Sequence, residues 1–432
     1  MTRILSVDVH DVRFPTAAAG DGSDAINRGD YSATYVELTG DDGVTGTGLT
    51  FTNGRGNEIT CAAVQALAHH VIGHTVEELC TAEGSRTLTA DVQLRWLGPE
   101  KGVIQMAAGA LVNAVWDLRA KCAGAPLWQL LAELSTAELV ACVDFHHITD
   151  ALTPDEATAI LDKGAVGYAD RRAELERDDF PSYTTSVGWL GYSDDKIQRL
   201  CREALAAGFT RFKIKVGADR ADDIRRAALV RKEIGADGVL MVDANQRWDV
   251  GQAIDWMKDL AVYRPLWIEE PTSPDDVLGH AEIARALEPL GIAVATGEMV
   301  SNRIVWKQLL AARAVSFCQL DFCRMSGVNE MVATLLLAAR FGVPVCPHAG
   351  GVGLCEYVQH ASIFDYIAVS GSLEDRLCEY VDHLHEHFVD PCLTSRDRYV
   401  APLRPGCSIE IKPQSIADYA FPNGRVWARH GQ

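Results

Sequence analysis

Six polar residues, Lys215, Asp243, Glu269, Glu298, Asp321 and His348, each close a short apolar run. Their successive separations are 28, 26, 29, 23 and 27 residues, about one strand-plus-helix unit each. Scattered surface charges would not keep that step. Asp243, Glu269 and Glu298 form an oxygen-only donor set for a hard cation. Mg²⁺ suits it, with water and substrate oxygens completing the octahedron. The plainer reading, three unrelated solvated or salt-bridged acids, leaves the spacing unexplained. Glu270, next to Glu269, alternates to the other strand face and reads as structural.

The stretch Arg211-Phe212-Lys213-Ile214-Lys215-Val216 puts both lysines on one strand face and three apolar residues on the other. Lysines are rarely buried without a partner, and the three carboxylates supply one. Together with one Mg²⁺ and both ammonium groups, those carboxylates leave a single net positive charge where an anion would bind. A neighbouring metal and a second ammonium depress the pKa of Lys215, which suits a general base; a plain carboxylate partner is the alternative role. His348 lies in a Gly-rich loop, one unit after Asp321, which is placed to hold the far imidazole nitrogen and favour the protonated ring. A metal flanked by a lysine and a histidine matches removal of a proton next to a carboxylate.

These residues reach one rim only if parallel strands close into a barrel. Apolar runs at Val140–Phe145, Phe212–Val216, Val239–Val242, Leu266–Ile268, Ala293–Ala295, Ser316–Leu320, Val343–Cys346 and Ile367–Ser370 are the eight expected strands, most followed by helical patterns. A polar, helix-rich insertion at about 153–180, then Tyr183, Trp189 and Tyr192, either shapes the site mouth or packs as decoration. Before the barrel, alternating stretches at 3–14 and 33–52, the latter turning at Gly40–Gly43, and helical patterns near 57–71, 76–93 and 103–121 make a small α+β domain. Between them, Thr16 to Arg28 reads as a long loop. The division expected is 1–137 for this capping domain, 138–385 for the barrel and 386–432 for a segment returning to the capping domain.

The chain has 432 residues, 48% hydrophobic, with 40 Lys and Arg against 59 Asp and Glu for a formal charge of -19. That charge opposes nucleic acid and anionic membrane as partners. No run approaches a membrane span and the start lacks a signal-peptide pattern, so a cytoplasmic location is expected. Twelve cysteines without a CxxC pair read as buried apolar fillers rather than a disulfide framework or zinc site.

Taken in order, Lys213 and Lys215, Asp243-Ala244-Asn245, Trp267-Ile268-Glu269-Glu270-Pro271, Thr296-Gly297-Glu298, Asp321 and His348 resemble the mandelate racemase branch of the enolase superfamily. So does Ala114-Val115-Trp116-Asp117-Leu118-Arg119. Within it, Asp24-Ala25-Ile26-Asn27, Gly188-Trp189-Leu190-Gly191-Tyr192 and Glu379-Tyr380-Val381-Asp382-His383 are similar to the L-fuconate dehydratases. The resemblance implies a modified TIM (β/α)7β-type barrel with an N-terminal α+β capping domain, Mg²⁺, a small acid-sugar substrate and a homo-oligomer. It implies Lys215 as base, His348 as acid and Asp321 as its support. Lys213 and Glu379 would meet the substrate carboxylate region, with Asn245, Trp189, Asp24 and Asn27 as further substrate contacts. Met299 and Phe322-Cys323 depart from the small or polar residues expected there and bear on which sugar is taken. A racemase or epimerase on the same scaffold, or a non-catalytic relative, are the competing readings.

Overall fold

The computed structural model describes residues 1–19, 29–98 and 100–428. Three antiparallel strands, β1 (Ile4–Arg13), β2 (Ser32–Gly40) and β3 (Thr45–Thr52), form the capping sheet in that order. Helices α1 (Asn57–Leu67) and α2 (Gly102–Ala123) cover it. The β3–α2 contact depends on glycine: a Cβ on Gly48 would fall 2.0 Å from the Ala110 carbonyl oxygen. Asp117 of α2, almost fully buried, accepts hydrogen bonds from the Thr47 N–H at 2.7 Å and the Cys407 N–H at 2.6 Å. One carboxylate thus ties the sheet, the helix and the C-terminal segment.

Two further helices, α3 (Pro154–Ala165) and α4 (Tyr168–Asp178), precede the barrel. Its strands are β4 (Phe180–Gly188), β5 (Arg211–Lys215), β6 (Val239–Asp243), β7 (Pro265–Glu269), β8 (Ala293–Thr296) and β9 (Phe317–Cys318), parallel neighbours in chain order. Val345 bridges to Cys318, and β10 (Cys378–Tyr380) pairs back on β4. The intervening helices are α5 (Asp194–Ala206), α6 (Arg220–Ile234), α7 (Val250–Leu260), α8 (Val277–Leu287), α9 (Arg303–Ala311), α10 (Val328–Phe341) and α11 (Leu354–Phe364). Seven helices and eight strand positions give a (β/α)7β barrel. Side chains of Ser193, Asp219, Asp276 and Asn302 accept N–H groups at the starts of α5, α6, α8 and α9, which fixes where each rim loop ends.

Two expected strands are not strands. Residues Val140–Phe145 fall in the end of a helix, Thr136–Cys142, and the turn after it. A Ser135–Glu138 capping box starts that helix, and Leu139, Cys142 and Val143 reach the core at helical spacing. The first barrel strand is therefore β4, and α3 and α4 come before it rather than above its C-terminal end. They pack at the side, where the Arg171 guanidinium donates to the Ile367 carbonyl at 3.0 Å. Ile367–Ser370 continues α11 as one π-helical turn, Asp365–Ser370. That helix is buried on every side, and an apolar run without periodicity reads equally as strand. β10 takes the eighth position instead.

All twelve cysteines are free. Among the described residues no helix is long and apolar enough to cross a membrane.

Candidate active site

Alternation along the barrel strands builds the site in layers. Tyr183, Met241, Trp267, Ala295, Phe317, Cys346 and Leu377 point inward and pack as an apolar floor. Moving two residues along the same strands brings up Asp243, Glu269, Gln319, His348 and Glu379, because strand side chains repeat with period two. On β5, Lys213 is level with Met241 and Lys215 with Asp243.

Ligand oxygens of Asp243, Glu269 and Glu298 all lie within 4.8 Å of one another. An octahedral Mg²⁺ with bonds near 2.1 Å places neighbouring oxygens about 3 Å apart and opposite ones about 4.2 Å, so the triad fits the ion and leaves positions for further oxygens. The lysines neutralise it from below. Lys213 Nζ is 2.6 Å from Glu269 Oε1 and 2.7 Å from Glu379 Oε1, and Lys215 Nζ is 2.5 Å from Asp243 Oδ2. Burial disfavours the charge on both lysines, but these carboxylates outweigh it and raise both pKa values. The expected depression of Lys215 is therefore not present while Asp243 is its direct partner. Burial, then the Asp243 charge, pushes the Glu269 carboxyl up; burial also opposes Asp243, yet Lys215 and Lys213 hold it down.

Across the ring, His348 Nδ1 is 2.8 Å from Asp321 Oδ2 and Nε2 is 3.2 Å from Glu298 Oε2. Burial works against an imidazolium here, but Glu298 and Asp321 raise the ring to about 10. The Asp321 carboxylate is fixed in turn by the Cys323 N–H at 2.6 Å. Glu379 Oε2 accepts the Ala349 N–H at 2.9 Å, so the residue after His348 is tied to β10.

A cavity of about 710 Å³ opens above this layer, lined by Lys215, Asn245, Glu298, Met299 and His348 from the barrel. Capping-side residues Arg13, Tyr31, Phe51, Asn53 and Arg55 face it, with Phe421 and Trp427 from the C-terminal segment. Lys213 and Glu379 sit below, each about 1% exposed. Trp189 is buried against Tyr192 and His383 instead of lining the cavity. Asp24 and Asn27 lie outside the described residues. Of the departures noted in the sequence, Met299 is a true cavity residue. Phe322 and Cys323 are buried beneath the capping sheet, where Phe322 packs on Tyr357 and the Cys323 carbonyl accepts the Thr50 hydroxyl.

Glu270 does not turn away as alternation suggests. Its φ of 43° breaks the strand pattern, and its buried carboxylate accepts Gln246 Nε2 at 3.0 Å. Burial and the charges of Glu298 and Asp243 push its pKa well up. Gln319, whose Nε2 donates to Glu269 Oε2 at 2.6 Å, was also absent from the sequence reading. Its position two residues before Asp321 on one strand face was the available signal. Arg13 and Arg55 carried no such signal, because the capping domain delivers them across a domain boundary.

A modified barrel gathers an oxygen triad, a lysine and a histidine at one rim, the arrangement of an enzyme active site. Residues 25–132 match the mandelate racemase/muconate lactonizing enzyme N-terminal domain, and residues 196–415 the enolase C-terminal domain-like family. Human mitochondrial enolase superfamily member 1 is 54% identical over 99% of this chain and 98% of its own. An L-galactonate dehydratase from Hypocrea jecorina is 52% identical over 95% of this chain and 92% of its own. The crystal structure of the human protein superposes with a TM-score of 0.98, covering 99% of this chain and 98% of that one at 53% identity. The chain belongs to the enolase superfamily, mandelate racemase branch, whose members similar to it include acid-sugar dehydratases.

Proposed function

We propose that this protein is a Mg²⁺-dependent dehydratase of six-carbon acid sugars, with L-fuconate as preferred substrate. The observation that carries the reading is that Lys215 and His348 line one cavity with the carboxylate triad between them. Asp243, Glu269 and Glu298 would hold the ion. Bound there, it supplies positive charge to the substrate carboxylate as the neighbouring C–H bond ionises. Lys215 takes the C2 proton. Burial already disfavours its charge, and an Asp243 engaged with a cation would hold the ammonium less firmly. Lys213 and Glu379 position the carboxylate end from beneath. His348, kept protonated by Asp321, gives its proton to the departing 3-hydroxyl. Water leaves, and the enol becomes the 2-keto-3-deoxy acid.

L-Fuconate is 6-deoxy-L-galactonate, so it differs from the substrate in the Hypocrea relative's name only at C6. The exposed thioether of Met299 at the cavity wall suits a C6 methyl. The 52% identity to that relative favours L-galactonate as the second reading. Cytoplasmic location and a homo-oligomer complete the proposal.

The test is a panel of hexonates and pentonates with purified protein and Mg²⁺, reading 2-keto-3-deoxy product as its semicarbazone. Turnover led by L-fuconate is expected, with loss on EDTA treatment and recovery on Mg²⁺ addition. Deuterium appearing at C2 of recovered substrate in D₂O without keto product would replace dehydration by racemisation. Binding without exchange or turnover on any sugar would mark a non-catalytic relative.

A further inference from the structure

Beside the rim loop, three ligand-type residues meet outside the carboxylate triad, with Glu356 next to them. Cys355 and Glu356 sit in the first turn of α11, and His385 and Cys392 come from the segment following β10. Ligand atoms of Cys355, His385 and Cys392 all lie within 4.8 Å of one another. Cys355, Glu356 and Cys392 are buried, and the His385 side chain is 17% exposed.

The imidazole is already oriented. His385 Nε2 lies 2.8 Å from the Val381 carbonyl and Nδ1 faces the Glu356 carboxylate, so the free ring carries hydrogen on both nitrogens, and giving up the Nδ1 proton aims that lone pair at the cluster. Nδ1 is 2.7 Å from Glu356 Oε1 and 3.5 Å from Cys392 Sγ. A tetrahedral zinc with Zn–S near 2.3 Å and Zn–N near 2.0 Å sets its S···N separation at about 3.5 Å. Cys392 Sγ is also 4.0 Å from Nε2, so it flanks the ring and must swing toward the Nδ1 lone pair to share an ion. Next to the set, Glu356 Oε2 is buried with no hydrogen-bond partner among the described residues. An orphaned carboxylate oxygen is costly, and a cation removes the cost.

We propose that Cys355, His385 and Cys392 form a second cation site that takes zinc, with the Glu356 carboxylate beside it against the imidazole. The two thiols and the imidazolium each give up one proton to solvent on binding. Thiolate and imidazole donors select zinc over Mg²⁺, whereas the triad's oxygens do the reverse. The cation staples the segment after β10 to α11. Cys355 Sγ also lies 3.7 Å from the carbonyl of Ala349, the residue next to His348, so the staple sits directly under the rim loop. No linear spacing marks the set, because its two halves are some thirty residues apart in sequence.

The test uses the full chain, purified without chelator from zinc-supplemented cells and assayed by plasma mass spectrometry. One zinc per chain, retained through EDTA dialysis that strips Mg²⁺, is expected. Protein produced with Co²⁺ in place of zinc should show an intense near-ultraviolet thiolate-to-cobalt band and the visible bands of a tetrahedral site. Asp243→Asn should keep that band, and Cys392→Ser should lose it, which separates this site from the triad. A wild-type protein with neither zinc nor the band overturns the proposal without any variant needing to fold. So does a band surviving in a Cys355→Ser/Cys392→Ser protein, or a Cys355–Cys392 disulfide in freshly purified chain.

Discussion

The floor and the rim of the barrel are made by the same strands, two residues apart, and have opposite chemistry. Trp267 packs edge-on to Tyr183 at 5.5 Å and against Phe317 at 4.8 Å, fully enclosed. Two positions further along the same strand, Glu269 shares its carboxylate between Lys213 and Gln319. One pleat therefore separates hydrocarbon from a cluster of ions. The floor is rigid and dry, so the buried charges above it pair with one another and not with water. Lys213, whose ammonium lies 5.5 Å from the Tyr183 ring centre, is the joint between the layers.

The sharpest break of this contrast is Lys215→Met. C2 exchange in D₂O should fall by about 10³-fold or more, with the thermal midpoint in Mg²⁺ nearly unchanged. Retained exchange would remove the base assignment. Trp267→Ala should act in the opposite sense, costing about 3–5 kcal/mol in urea unfolding while the folded fraction still turns over. A loss below about 1 kcal/mol would mean the floor is not the support claimed. Next comes Asp321→Asn, where kcat should drop about 10- to 100-fold with KM held, since the residue positions His348 without touching substrate. A change confined to KM would contradict that role.

The smallest effect is on stability against pH. Burial lowers His360 to about 3, where it takes the Trp128 N–H at 3.3 Å. Its folded pKa lies below the unfolded value near 6.5, so the unfolded chain binds the proton first and stability falls as pH drops from about 6.5 toward 3. Between pH 7 and 5 the loss should be about 2 kcal/mol greater than in His360→Gln, measured by urea unfolding. Identical pH profiles would show that this ring is not buried neutral.

The rim was legible because chemistry-bearing residues end each strand, and their step of one βα unit survives any error in element boundaries. Elements defined by hydrophobicity alone were not. Leu139, Cys142 and Val143 are apolar whether helical or extended, and only the Ser135–Glu138 box distinguished the two. β10 is three residues long and carried no pattern, so its place went to a longer apolar run in the π-helical turn that continues α11. Glu270 was misplaced because alternation assumes extended backbone, and its φ is positive.

The cavity wall draws on both ends of the chain: Arg13 and Phe51 from the start, Phe421 and Trp427 from the finish. Trp427 Nε1 donates to the Arg13 carbonyl at 3.0 Å, and the Phe421 N–H to that of Asp11 at 2.8 Å. During translation, a chain still on the ribosome with Tyr399 just emerged has every barrel strand, the whole oxygen triad and the Arg13 and Phe51 side of this wall, but not Phe421 and Trp427. The C-terminal part of the wall is therefore the last piece of the cavity to leave the ribosome.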